Sequence, residues 1–131
     1  MSIWYALCDL LPLDVVAESL SDDVLPEIYE FQRTGDVKHL YVALAEFGEW
    51  DPATMILEVA KHFEEGCKKY GENNWQKGIP AKVYVDSGTR HYLKWLRGDT
   101  DEAHSRAFVW NLMCCIWEVD YHSEKEPVNE N

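Results

Sequence analysis

No stretch of this 131-residue chain approaches the roughly 18 consecutive apolar residues that a membrane-spanning helix requires. The opening residues, MSIWYALCDLLPLD, lack a basic n-region and reach Asp9 early, so they do not read as a signal peptide. Cysteine is sparse. Cys8, Cys67, Cys114 and Cys115 fall in no CxxC spacing, and two of them adjoin within an apolar run. That pattern reads as free thiols in a reducing cytoplasm, not as disulfides or a zinc site. GxSxG, HExxH and a Gly-rich phosphate loop are all missing, which removes the usual nucleophile, zincin and P-loop signatures. Basic residues are scarce: 12 against 24 acids give a net charge of -12. Direct binding of duplex nucleic acid needs a basic face, so the balance argues against it. The acids are then a solvated surface, ligands for divalent cations, or an imitation of nucleic acid that occupies a basic cleft on a partner.

What is present reads as one all-α domain over residues 1–131. Six tryptophans, seven tyrosines and four phenylalanines supply a core. Residues 12–20 suit a short helix, and Asp22 or Asp23 can cap a second that runs to about Gln32. Asp36 can cap the next, closed by Gly48. Trp50-Asp51-Pro52 is a strong start signal for a helix to about Tyr70, with Met55, Val59 and Phe63, joined by Ile56, Ala60 and Cys67, as its apolar stripe. Pro80 opens a helix stopped by Gly98. A last helix follows, capped by Asp99 or Thr100, with Asp101 and Glu102 in its first turn. This gives five or six helices, the three long ones forming the core, with N-terminal helices in 1–50, a helical core over 51–121 and a polar tail at 122–131. KVYVDS, residues 82–87, is the only stretch with a strand-like period.

Several residues on the long helices could carry chemistry. Glu58, His62 and Glu65 stand at i, i+4 and i+7, so they share one face. That face is either solvated or turned into the bundle to hold a metal or polar ligand. Asp86 and Arg90 are an i,i+4 pair, Arg90 adjoins His91, and Arg90, Lys94 and Arg97 form a basic strip in an acidic chain, suited to a phosphate or to charge balance. Gly88 in mid-helix permits close helix approach. Asn111 interrupts the apolar run AFVWNLMCCIW, two turns from His104 on the same face. It is a structural amide or it faces a ligand. The loop KYGENNWQKGIP, residues 69–80, holds Lys69, Asn74 and Trp75 between two helix ends.

Taken in order, Lys69-Tyr70-Gly71, Asn74-Trp75, Gly78-Ile79-Pro80, Asp86-Ser87, Arg90-His91, Gly98, Asp101-Glu102, His104 and Trp110-Asn111 carry a resemblance. Over about residues 52–118 the chain resembles the dATP/dGTP diphosphohydrolase N-terminal-type domain of phages and prophages, similar in turn to the MazG-like all-α nucleotide pyrophosphohydrolases. The resemblance implies cleavage of a purine (deoxy)nucleoside triphosphate to the monophosphate and pyrophosphate, assisted by Mg²⁺. It implies metal ligands among Glu58, Glu65 and Asp86, and catalytic roles for Glu65, Asp86, His104 and Asn111. Lys69, Arg90, His91 and Lys94 would bind substrate, with Asn74 and Trp75 suited to the base. A MazG-like ExxE helix followed by an ExxD helix is not reproduced: Glu58, Glu64 and Glu65 stand on the first helix, but His104 and Asn111 stand where acids belong. MazG-like domains are often dimers, so a homodimer is also implied. Two alternatives stand beside the hydrolase. One is a nucleotide-binding domain without turnover. The other is an acidic, phage-encoded inhibitor that binds a host defence or nucleic-acid enzyme as a DNA mimic. All three readings place the chain in the cytoplasm of a bacterial host.

Overall fold

The computed structural model describes residues 22–48, 50–70 and 79–122, with the side chains of 66–70 and 121–122 outside that description. The expected helix at 12–20, the loop residues Asn74 and Trp75, the Lys69 side chain, Cys8, Cys67 and the tail therefore lie outside the described residues. The rest is all-helical: α1 (Leu25–Thr34), α2 (Lys38–Phe47), α3 (Pro52–Tyr70), α4 (Ala81–Arg97) and α5 (His104–Ile116), whose end widens into a π-helix, Trp117–His122. KVYVDS is the first turns of α4 and not a strand.

Short polar side chains set most helix starts. The Asp22 carboxylate accepts the backbone N–H groups of Val24 and Leu25 at 2.9 and 2.8 Å, Asp36 accepts that of Lys38 at 3.0 Å, and Asp51 accepts that of Thr54 at 2.7 Å. Each satisfies a donor that the first helical turn leaves unpaired. The other oxygen of Asp22 accepts the Tyr92 hydroxyl at 2.6 Å, which ties the start of α1 to α4. The start of α5 departs from expectation. The helix begins at His104 behind Ala103, with no side-chain cap. Asp99 is taken by the Arg97 guanidinium instead, and Asp101 by the His104 ring. Asp99, Thr100, Asp101 and Glu102 thus form the turn before the helix.

α5 is the element the others share. α4 packs along its length, α3 and α2 pack on it from other sides, and α1 pairs with α2. Phe47 of α2 sits at the centre of an aromatic cluster, with ring centroids 4.8 Å from Trp95, 5.0 Å from Phe108 and 6.0 Å from Trp50. The buried chains Val85, Phe108, Val109 and Leu112 join the two faces of the α4–α5 contact. Trp95 and Trp110 are half-buried against this core. On α3 the stripe is narrower than its sequence suggests: Val59 is buried and Met55 and Phe63 pack on the core, but Ile56 is 63% exposed and Ala60 faces solvent. Described contacts hold α3 chiefly through one neighbour, and one neighbour covers a single seam.

Gly88 is the close-approach point between α4 and α5. A Cβ there would lie 3.0 Å from the Cβ of Asn111, an atom fixed to the opposing backbone that no rotamer change can move away. Gly88→Ala gains roughly 1 kcal/mol of helix propensity but must push the helices apart, at a cost of about 1–3 kcal/mol. The variant should melt several degrees below wild type in a thermal unfolding experiment followed by circular dichroism.

Candidate functional site

The close α4–α5 packing brings two histidines together at the Gly98 end of the pair. His91 Nδ1 and His104 Nδ1 are 2.8 Å apart, and His104 Nε2 is 2.7 Å from Asp101 Oδ1. A carboxylate only accepts, so His104 Nε2 carries the proton and donates it to Asp101. In that tautomer Nδ1 of His104 accepts, and His91 Nδ1–H donates to it. The chain runs His91 to His104 to Asp101, and it leaves the lone pair of neutral His91 on Nε2. The His104 ring is almost wholly buried while Asp101 is exposed, so the chain runs from core to surface. The hydrogen bond from His104 holds the Asp101 carboxyl below the usual range. Burial lowers the His91 pKa, and the positive charges of Lys94 and Arg90 add to that while Glu102 opposes it. His91 is therefore neutral, with its base form available, at physiological pH.

A second polar group lies on the α3–α5 seam. Arg106, which no sequence argument singled out, reaches from α5 to both α3 carboxylates: Nη2 is 2.7 Å from Glu65 Oε1 and Nη1 is 3.8 Å from Glu58 Oε1. Lys61 closes on the other Glu58 oxygen at 3.1 Å. His62 lies against Trp110, with ring centroids 5.0 Å apart and the planes tilted by 43°. Burial and then the Arg106 charge lower its pKa. Of the face shared by Glu58, His62 and Glu65, Glu58 and His62 are half-buried on the seam, while Glu65 stays 62% exposed and meets the guanidinium at its rim. One signal in the sequence pointed here: Arg106 is the sole charged side chain of Lys, Arg, Asp or Glu type in α5. His104 and Arg106 both stand in the first turn of α5, so the two clusters share one end of that helix.

The remaining candidates separate. Asp86 pairs with Arg90 at 3.2 Å along α4. Asn111 is buried and donates to the Ala107 carbonyl at 2.8 Å, which makes it a packing partner of Gly88 with its amide turned to its own helix. Among the described residues Glu58, Glu65 and Asp86 do not gather into a metal-ligating group. Asp99, Asp101 and His104 do bring ligand atoms within 4.8 Å of one another, but Asp99 is held by Arg97 and Asp101 by His104. Cys114 and Cys115 are buried free thiols, both pushed up to about 12 by desolvation, which makes them inert core residues.

A family model described as dATP/dGTP diphosphohydrolase, N-terminal, matches residues 32–127, so the chain belongs to that family. No curated protein and no solved structure matches it.

Both His62 and His91 have pKa values lowered in the fold. Below the ordinary histidine pKa of about 6.5 the unfolded chain binds protons that the folded chain does not, so stability falls as pH drops. The melting temperature should decline between about pH 7.5 and about pH 5.5. His62→Asn should flatten that decline, as read by melts at a series of pH values.

Proposed function

We propose, starting from membership of the dATP/dGTP diphosphohydrolase N-terminal family, that this domain binds a purine deoxynucleoside triphosphate beside His91 and hydrolyses it to the monophosphate and pyrophosphate. The observation that carries the reading is the hydrogen-bonded chain His91–His104–Asp101. Asp101 fixes the His104 tautomer, and His104 fixes that of His91. The free Nε2 lone pair then takes a proton from a water that attacks the α-phosphorus. One P–O bond forms to that water, and the bond to the bridging oxygen of the β-phosphate breaks, releasing pyrophosphate. A neutral imidazole with a lowered pKa is suited to that proton transfer. Arg90 and Lys94 flank His91 on α4 and offer positive charge for the phosphate oxygens and for the charge that grows on the leaving group. Lys69, Asn74 and Trp75 remain our candidates for phosphate and base contacts.

A resident Mg²⁺ does not fit the carboxylates that the family resemblance implies for it. Glu58 and Glu65 are engaged by Arg106, and Asp86 by Arg90. Magnesium enters this proposal only as the counter-ion that a nucleoside triphosphate carries. The same engagement favours a second reading, a domain that binds nucleotide without turning it over.

Incubation with each of the four dNTPs and Mg²⁺, followed by a pyrophosphate assay, separates these readings. We expect release from dATP and dGTP. His91→Ala should lower kcat by about 10²–10⁴, the usual contribution of a general base, in a variant whose circular dichroism shows it still folded. Purine nucleotide binding with no pyrophosphate would establish the second reading. Neither binding nor release would sink both, and would favour the acidic inhibitor.

A further inference from the structure

We infer that Arg106 is a built-in cation, occupying between Glu58 and Glu65 the place a divalent metal ion would otherwise take. The two carboxylates stand two turns apart on one face of α3, Glu58 25% exposed within the seam and Glu65 62% exposed at its rim, and a positive ion between them can serve both. The Arg106 side chain is only 15% exposed and spans the pair, at 2.7 Å from Glu65 and 3.8 Å from Glu58. Its Nε is buried without a hydrogen-bond partner, so the guanidinium reaches α3 through its two terminal nitrogens. The neighbouring His62 is driven toward its neutral form, in part by Arg106 itself, and adds no second cation to the seam. Arginine does not deprotonate in the physiological range. The charge is therefore permanent, needs no metal supply and is unaffected by chelators. Arg106 thereby competes with divalent ions for both carboxylates.

The test uses Mn²⁺ alone, without nucleotide, titrated into the full chain and followed by electron paramagnetic resonance. Wild type should bind Mn²⁺ only weakly. Arg106→Gln keeps a polar side chain but removes the charge, leaving the two acids uncompensated, and should tighten binding about tenfold or more. Arg106→Lys should stay near wild type. Adding Glu65→Gln to Arg106→Gln should abolish the gain, which identifies the seam as the site. In Mn²⁺, addition of EDTA should lower the melting temperature of Arg106→Gln but not of wild type. Tight Mn²⁺ binding by wild type that Glu65→Gln removes would overturn the inference. So would a folded Arg106→Gln variant with no gain. Should Arg106→Gln lose its helical circular dichroism, the comparison of wild type with Glu65→Gln still decides the matter. No measurement here reads pyrophosphate release, so failure leaves the nucleotide proposal standing, and the reverse holds equally.

Discussion

The contact between α4 and α5 is the constraint on which the rest of the structure depends. With no side chain at Gly88, Asn111 can settle directly against the opposing backbone. The buried residues on either side, Val85, Phe108 and Leu112, then close the interface. Phe47 brings α2 onto the same pair through Trp95 and Phe108, and Tyr92 anchors the start of α1 through Asp22. α3 attaches to the outer side of α5 through Val59, Phe63 and Trp110. Each helix in the described chain is positioned with reference to the pair that Gly88 allows to meet.

That same proximity produces the chemistry at the end of the bundle. Two rings from facing helices reach hydrogen-bonding distance only because the helix axes are close. Burial then keeps His91 neutral, and the exposed Asp101 gives the inner ring a fixed acceptor. An acidic protein also has to manage its own charge. Here Arg97, Arg90 and Arg106 each engage a carboxylate, so several acids that looked available in the sequence are committed to internal pairs. Such pairs contribute little stability when exposed. Their effect is on what else those carboxylates can bind.

Much of the fold was legible in the sequence. Asp22, Asp36 and Asp51 cap helices in the structure as their residue types suggest, and Gly48 and Gly98 end helices in the left-handed conformation that glycine tolerates. The helix from Pro52 to Tyr70 and the helix stopped by Gly98 have their expected bounds. Capping is a local interaction, settled within three or four residues, so sequence carries it well. The start of α5 was misread because two competitors for the capping acids, Arg97 and the His104 ring, offer charged or buried partners that outweigh a backbone N–H. The width of the α3 stripe was overestimated because periodicity reports which residues are apolar, not how many neighbours exist to cover them.

The sequence by itself determined that this chain is helical, where most helices begin and end, that His91 and His104 are candidates for its chemistry, and which family it resembles. Only the tertiary structure decided how those residues combine, and that Asp101 joins them. The histidine chain joins positions 13 residues apart, and the Arg106–Glu65 pair joins positions 41 apart. Neither follows from spacing along one helix, because each depends on the register between two helices. Between α4 and α5 that register is set by the close contact at Gly88. It made Asn111 a packing residue and brought His91 to His104, while the separate α3–α5 seam gave Arg106 its carboxylates.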